Sequence, residues 1–431
     1  MVEKSPLSLP EQLVELQEQR RSRAEEIREM VVQRLVGRMG FKRATTFSEQ
    51  SKVNFQLSID PELRQIERTI SHVSRELQNH TDMQQIASLL KDKAFLIEVA
   101  QKTHQRHSEI SSLAPETSQD PAELDILFDQ NSVGIVTLQE GIGVMVREGQ
   151  TVREAIAEIA TGTLKPHQAD LLARISHALW MKNQLVMGTE TEKADFKPYN
   201  LLDGRAKSKA FDQAVSAAQV LAAKMNVPLV QTASPHRFSA NSGWDELTYL
   251  EQGILKNKAK ILEFASAADQ GYYDAYVRRP EEIQGVYPET VLQASHLEAY
   301  IAGDENIRRQ VAFNSVGFIS LLTGLSYLET QGKSAQEVIE SIVNESDNEP
   351  VDIQVKELLC RLAHAGWLND QSWKDRETTH RDINMFDLLD PGTKYKDWVQ
   401  IKFAARVLNK YFKQPATVVA EPAELAVSTA A

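Results

Sequence analysis

At 431 residues the chain is long enough for two or three domains with substantial cores, and 42% hydrophobic with 25% charged residues is the composition of an ordinary soluble protein. A net charge of −12 with a pI near 5.5 argues against a generic nucleic-acid or anionic-membrane binder, since both need a broad basic face to displace counterions. The one cysteine, Cys360, rules out an intramolecular disulfide and a Cys-based zinc cluster, and reads as a small apolar residue within a helix.

The first residues, MVEKSPLSLPEQ, carry no apolar stretch of signal-peptide kind, and no run of the chain reads as a membrane span. The expected location is cytoplasmic. Ser8 or Leu9 before Pro10 starts a helix through about Met39, with Leu13, Leu16, Ala24, Ile27, Val31 and Leu35 as a loose apolar stripe. Its run EQRRSRAEEIRE reads as a solvated surface of opposite-charge pairs. Residues 40–59 read as a linker, and Asp60-Pro61 opens a second helix with Ile66, Ile70, Val73 and Leu77 at helical spacing. Residues 1–82 thus form a helical arm or subdomain. It either folds back on 66–77 or pairs with a second copy of the chain as a homo-oligomer contact.

Beyond the arm the chain contains itself twice. LLKDKAFLIEVA (89–100) recurs as ILKNKAKILEFA (254–265), NSVGIVTLQEGI (131–142) as NSVGFISLLTGL (314–325), and LLARISHALW (171–180) as LLCRLAHAGW (358–367). The first two pairs match at six of twelve positions and the third at six of ten, without gaps and in the same order. A duplication accounts for this, so residues kept in both copies mark what was retained. The first repeat covers 83–225, with helices over 83–108, 132–147, 152–160, 166–183 and 207–225. A linker over 226–252 has room for one short strand, the second repeat covers 253–413, and 414–431 read as a disordered tail. The fold class is all-α: internally duplicated helical domains, related by an approximate two-fold axis, behind an amino-terminal helical arm.

In the third pair, an advance of about 100° per residue puts Leu171, Leu172, Ile175, Ala178 and Leu179 on one side and Arg174, His177 and Trp180 on the other. The same three types stand at Arg361, His364 and Trp367. Two readings follow. In one, Trp covers a smaller apolar contact while His and Arg hydrogen-bond a neighbouring loop or carboxylate. In the other, the six residues form two partly exposed recognition surfaces for an anion, a planar ring or a partner peptide, bounded by the divergent loops 185–197 and 372–384.

The match continues without a gap: Tyr199-Asn-Leu-Leu-Asp203 aligns with Phe386-Asp-Leu-Leu-Asp390, Lys209 with Lys396, and Ala217-Ala218-Gln-Val220-Leu221 with Ala404-Ala405-Arg-Val407-Leu408. His-x-x-Trp, a polar loop, an aromatic turn with Leu-Leu-Asp and a closing helix resemble the RyR domain, the repeated helical module of ryanodine receptors. The resemblance covers about 168–225 and 355–412. The Gly-Trp-x-Tyr-Gly loop element of the receptors is absent from the first copy and echoed only by Gln371-Ser-Trp373 in the second. The resemblance implies a helical recognition module, present twice, with no catalysis attributed to it.

Catalytic and cofactor motifs are missing: no His-Glu-x-x-His, Walker loop or Gly-x-Ser-x-Gly occurs, and Gly141-Ile-Gly143 lies in a helical pattern without a third glycine. Glu377, His380 and Asp382 read as a surface loop rather than a metal site, because the first copy holds no histidine there, and His104 with His107 reads as solvated for the same reason. No metal and no cofactor is expected. The leading expectation is a non-enzymatic binding or scaffold protein that recognises a partner protein or a small, nucleotide-like ligand. The alternatives are an enzyme acting on a nucleotide-like substrate between the halves, with His177 or His364 as general acid or base, and a structural subunit of a larger assembly.

Overall fold

The computed structural model describes residues 8–39, 57, 60–111, 121–190, 193–230, 238, 245–278, 291–346, 348–371 and 382–413. About 81% of the interpretable chain is helical, with no strand among the described residues. The fold is all-α, and the described part of 226–252 holds no strand. The linker 40–59 apart from Leu57, the tail from 414, and the loop residues 372–381 fall outside the described residues.

The chain divides into two compact units, residues 1–85 and 86–431. In the first, α1 (Leu9–Met39) starts where Ser8 meets the Glu11 carboxylate through both its backbone N–H and its hydroxyl. Asp60 caps α2 (Pro61–Leu89) by accepting from the Leu63 N–H at 2.8 Å. Arg23 pairs with Asp60 and Glu62 at 3.1 Å, and Arg20 with Glu67 at 3.1 Å. These pairs run in opposite chain directions, so the two helices fold back on one another, with Ile27 buried.

A single helix across 83–108 does not form. The chain breaks at Leu90–Asp92, where the Asp92 carboxylate accepts from the Ala94 N–H at 2.9 Å and starts α3 (Lys93–Ser111). Then follow α4 (Pro121–Arg147), α5 (Val152–Thr161), α6 (Pro166–Met187), a 3-10 turn at Tyr199–Leu201 and α7 (Gly204–Lys224). After the linker come α8 (Glu246–Leu255), α9 (Lys258–Arg278), α10 (Leu297–Ala302), α11 (Glu305–Asn314) and α12 (Val316–Thr330). The last elements are α13 (Ala335–Val343), α14 (Ile353–Gln371), a 3-10 turn at Phe386–Leu388 and α15 (Pro391–Phe412). Helices α3, α4, α5 and α6 all pack on α7, and α9, α12, α13 and α14 all pack on α15.

Glycines common to the two repeated segments explain how closely these helices approach. A Cβ on Gly134 of α4 would lie 2.6 Å from the Gln213 carbonyl oxygen of α7, and one on Gly317 of α12 would lie 2.8 Å from that of Gln400 on α15. Gly141 and Gly324 likewise leave room for the Cδ2 atoms of Leu172 and Leu359. The glycines are therefore packing residues, and Gly141-Ile-Gly143 sits inside α4 rather than in a phosphate loop. The stretch Glu305–Thr330 is, against expectation, long and apolar enough to cross a membrane, but 94% of its apolar 18-residue segment is buried inside the protein. It spans α11 and α12, and its apolar part belongs to the core of the bundle.

The second unit has an interior shared by both halves. Helix α6 contacts α11, α12 and α14, and α14 contacts α4. At the crossing of α6 and α14, Lys182 Nζ donates to the Gly366 carbonyl at 2.8 Å and Asn369 Nδ2 to Asn183 Oδ1 at 2.6 Å. A cavity of about 10 Å³ beside Lys182, lined otherwise mostly by Ile175, Leu179, Val316, Ile319 and Leu362, is large enough for about one water.

Candidate functional site

Helices α7 and α15 begin at Asp203 and Asp390. Asp203 accepts from the Ala206 N–H at 2.8 Å and Asp390 from the Thr393 N–H at 3.0 Å. These N-caps fix the 3-10 turns just ahead of them and hold Tyr199 and Phe386 against the preceding long helices. Each ring lies between two cations. Arg174 sits 4.4 Å and Lys207 5.0 Å from the Tyr199 ring, and Arg361 4.7 Å and Lys394 4.9 Å from the Phe386 ring. The histidines pack on the same rings at 6.1 Å, and each stacks on its tryptophan at 5.6 and 5.7 Å.

Placement corrects the expectation of six partly exposed residues. Arg174, His177, Arg361 and His364 are buried, and only Trp180 and Trp367 reach partial exposure. The helical wheel divides a helix into a core side and a solvent side, but α6 and α14 are packed on both. His177 Nε2 donates to the Lys197 carbonyl at 2.8 Å and His364 Nε2 to that of Asn384 at 3.1 Å, which ties each helix to the loop after it. Both histidines hold backbone, so neither has its Nε2 free for proton transfer to a substrate.

The arginines reach across the molecule in opposite directions. From α6, Arg174 donates to Asp170 at 2.7 Å, Asn200 at 3.0 Å and, in the other half, Ser326 of α12 at 2.6 Å. From α14, Arg361 donates to Asp387 and lies 3.5 Å from Glu140 of α4, again in the other half. Ser326 occupies the position that Gly143 holds in the first copy, and a Cβ on Gly143 would run into the Arg361 guanidinium at 2.2 Å. Arg147 extends the second network to Glu357 and Asp387.

The surroundings set protonation. Burial pushes Glu140 up to about 7 despite Arg361, and burial likewise pushes Glu251, in the field of Arg174, up to about 8. His177 is pushed down to about 4 by burial. Burial raises Cys360 well above the ordinary thiol value, which makes it inert packing.

Several partners were not singled out from sequence. Lys207 and Lys394 carried a usable signal, since they are the same type at matching positions. Glu140, Asp387 and Ser326 carried none, because their counterparts Thr323, Asn200 and Gly143 differ. Among the described residues no group of three or more His, Cys, Asp or Glu is placed to hold a metal. Glu377 and His380 fall outside the described residues, and Asp382 accepts from Lys396 at 3.1 Å. His104 and His107 lie on α3, with side chains outside what is described. No protein-family model, curated protein or solved structure matches the chain.

Proposed function

We propose that the chain is a non-enzymatic binding or scaffold protein in which two RyR-like helical modules, descended from a duplication, share one interior and each present a tryptophan to a partner protein or a small, nucleotide-like ligand. The observation that carries this reading is the division of labour within the constellation. Arg, His and the aromatic turn are spent on internal bonds, while Trp180 and Trp367 keep part of their surface accessible and are stacked from behind on a buried imidazole. An aromatic ring held rigid in this way loses little entropy on binding and offers a flat apolar face with a polar N–H. The reciprocal reach of Arg174 and Arg361 supports the duplication and an approximate two-fold relation of the modules.

The test is a thermal-shift screen of the full chain against nucleotides and their derivatives, repeated with Trp180→Ala and Trp367→Ala. A ligand that stabilises the protein, is recovered intact and loses its effect in one of these variants supports the reading. Turnover of the ligand supports the enzyme alternative, and a silent screen with self-association in solution supports the assembly subunit.

A further inference from the structure

The two copies of the constellation differ beside the histidine. Nδ1 of His364 lies 3.6 Å from Asp397 Oδ2, an ion-pair distance, between two side chains that are almost completely buried. The first copy carries Ala210 at the position of Asp397, as the register Lys209–Lys396 fixes. A carbonyl only accepts, so Nε2 carries a proton in both rings, and the second ring nitrogen decides the charge. His177 has no carboxylate at that position. His364 has one, on the helix packed against it.

Among the described residues, the charged groups that bear on His364 and on its neighbours come from several elements. Asp397 faces it from α15 and Glu140 from α4; Arg361 and Asp387 bear on Glu140, and Asp382, Lys396 and Tyr272 of α9 bear on Asp397. Burial disfavours charge on the ring, yet Asp397, with Glu140 and the Asn384 carbonyl, raises His364 above its ordinary value. For His177 burial prevails.

We propose that His364 and Asp397 form a proton switch beneath Trp367 that the first copy lacks beneath Trp180. With the proton in place, Trp367 rests on an imidazolium and α14 is tied to α15. Without it, Asp397 is a buried carboxylate that has lost its cation, which costs stability. A value raised on folding stabilises the protein below the ordinary histidine range, and that contribution is lost as pH rises through the folded value. If the tryptophans are recognition surfaces, as the reading above holds, affinity at Trp367 falls in mild alkali while affinity at Trp180 does not. The switch itself is readable without any ligand.

The test uses the full chain labelled with 5-fluorotryptophan, its Trp180 and Trp367 ¹⁹F resonances assigned with Trp180→Phe and Trp367→Phe and followed from pH 5 to 9. The Trp367 resonance is expected to titrate with a midpoint above 6.5, and the Trp180 resonance to stay flat. Asp397→Asn should lower the Trp367 midpoint by about two pH units, the size of shift that loss of an adjacent charge produces. A flat Trp367 resonance, a Trp180 resonance with the same midpoint, or an unchanged midpoint in Asp397→Asn would overturn the proposal. The wild-type comparison of the two resonances decides it even where the variant does not fold.

Discussion

Arg174 and Arg361 are the same residue in two electrostatic settings. Arg174 has Asp170, with neutral Asn200 and Ser326 completing its bonds, whereas Arg361 depends on Asp387 and Glu140. Removing an ionic partner of a buried charge costs about 3–5 kcal/mol, while removing a neutral one costs about 1–3 kcal/mol. Asp387→Ala should therefore destabilise the protein clearly more than Asn200→Ala in urea unfolding; equal costs would show that Arg361 is held otherwise. The buried carboxylates also give stability a sign with pH. Glu140 and Glu251 have folded values raised to about 7 and about 8 from 4.5, so the native state keeps protons that the unfolded chain releases. Stability accordingly falls as pH rises from 4.5 to about 8. Glu140→Gln should flatten that fall in unfolding curves taken between pH 5 and 8, and an unaltered slope would mean that Glu140 is charged in the fold. At this scale the sequence exposed what the two repeated segments share, the Arg, His, Trp and capping Asp. Their partners across the interior stayed hidden, because those lie more than a hundred residues away and differ between the copies.

Helical periodicity placed most elements, since apolar residues at helical spacing between Pro, Gly and Asp signals are strong markers. It began a new helix at 83, inside α2, and ran it into α3, because Leu90 continues the apolar pattern across a break that Asp92 imposes through backbone bonding. It also began the long α4 too late, at 132 instead of Pro121. The retained glycines were legible as letters but not as contacts. Gly134→Ala and Gly317→Ala each drive a methyl group onto a backbone carbonyl that cannot move aside. Each should cost about 1–3 kcal/mol, the usual range for overpacking, and exceed any gain in helix propensity of about 1 kcal/mol. Melting temperatures of the two variants check this; a rise in either would show that the helices separate freely.

The second unit is one compact body whose polar bonds join its earlier and later helices: Arg174 to Ser326, Arg361 to Glu140, Lys182 to Gly366, Asn369 to Asn183 and Gln139 to Asn384. The all-α class followed from periodicity. Which faces the halves turn to each other did not follow, because a wheel drawn for one helix cannot show a second bundle on its far side. The Arg–His–Trp helices thus serve first to join the earlier and later helices of the second unit. Hydrogen exchange by mass spectrometry along a urea series measures this most directly, by comparing α6 with α14 and α7 with α15 in the full chain. All four helices are expected to open with the same free energy and the same urea dependence, as one cooperative unit. Opening of α14 and α15 at a urea concentration where α6 and α7 remain protected would contradict it.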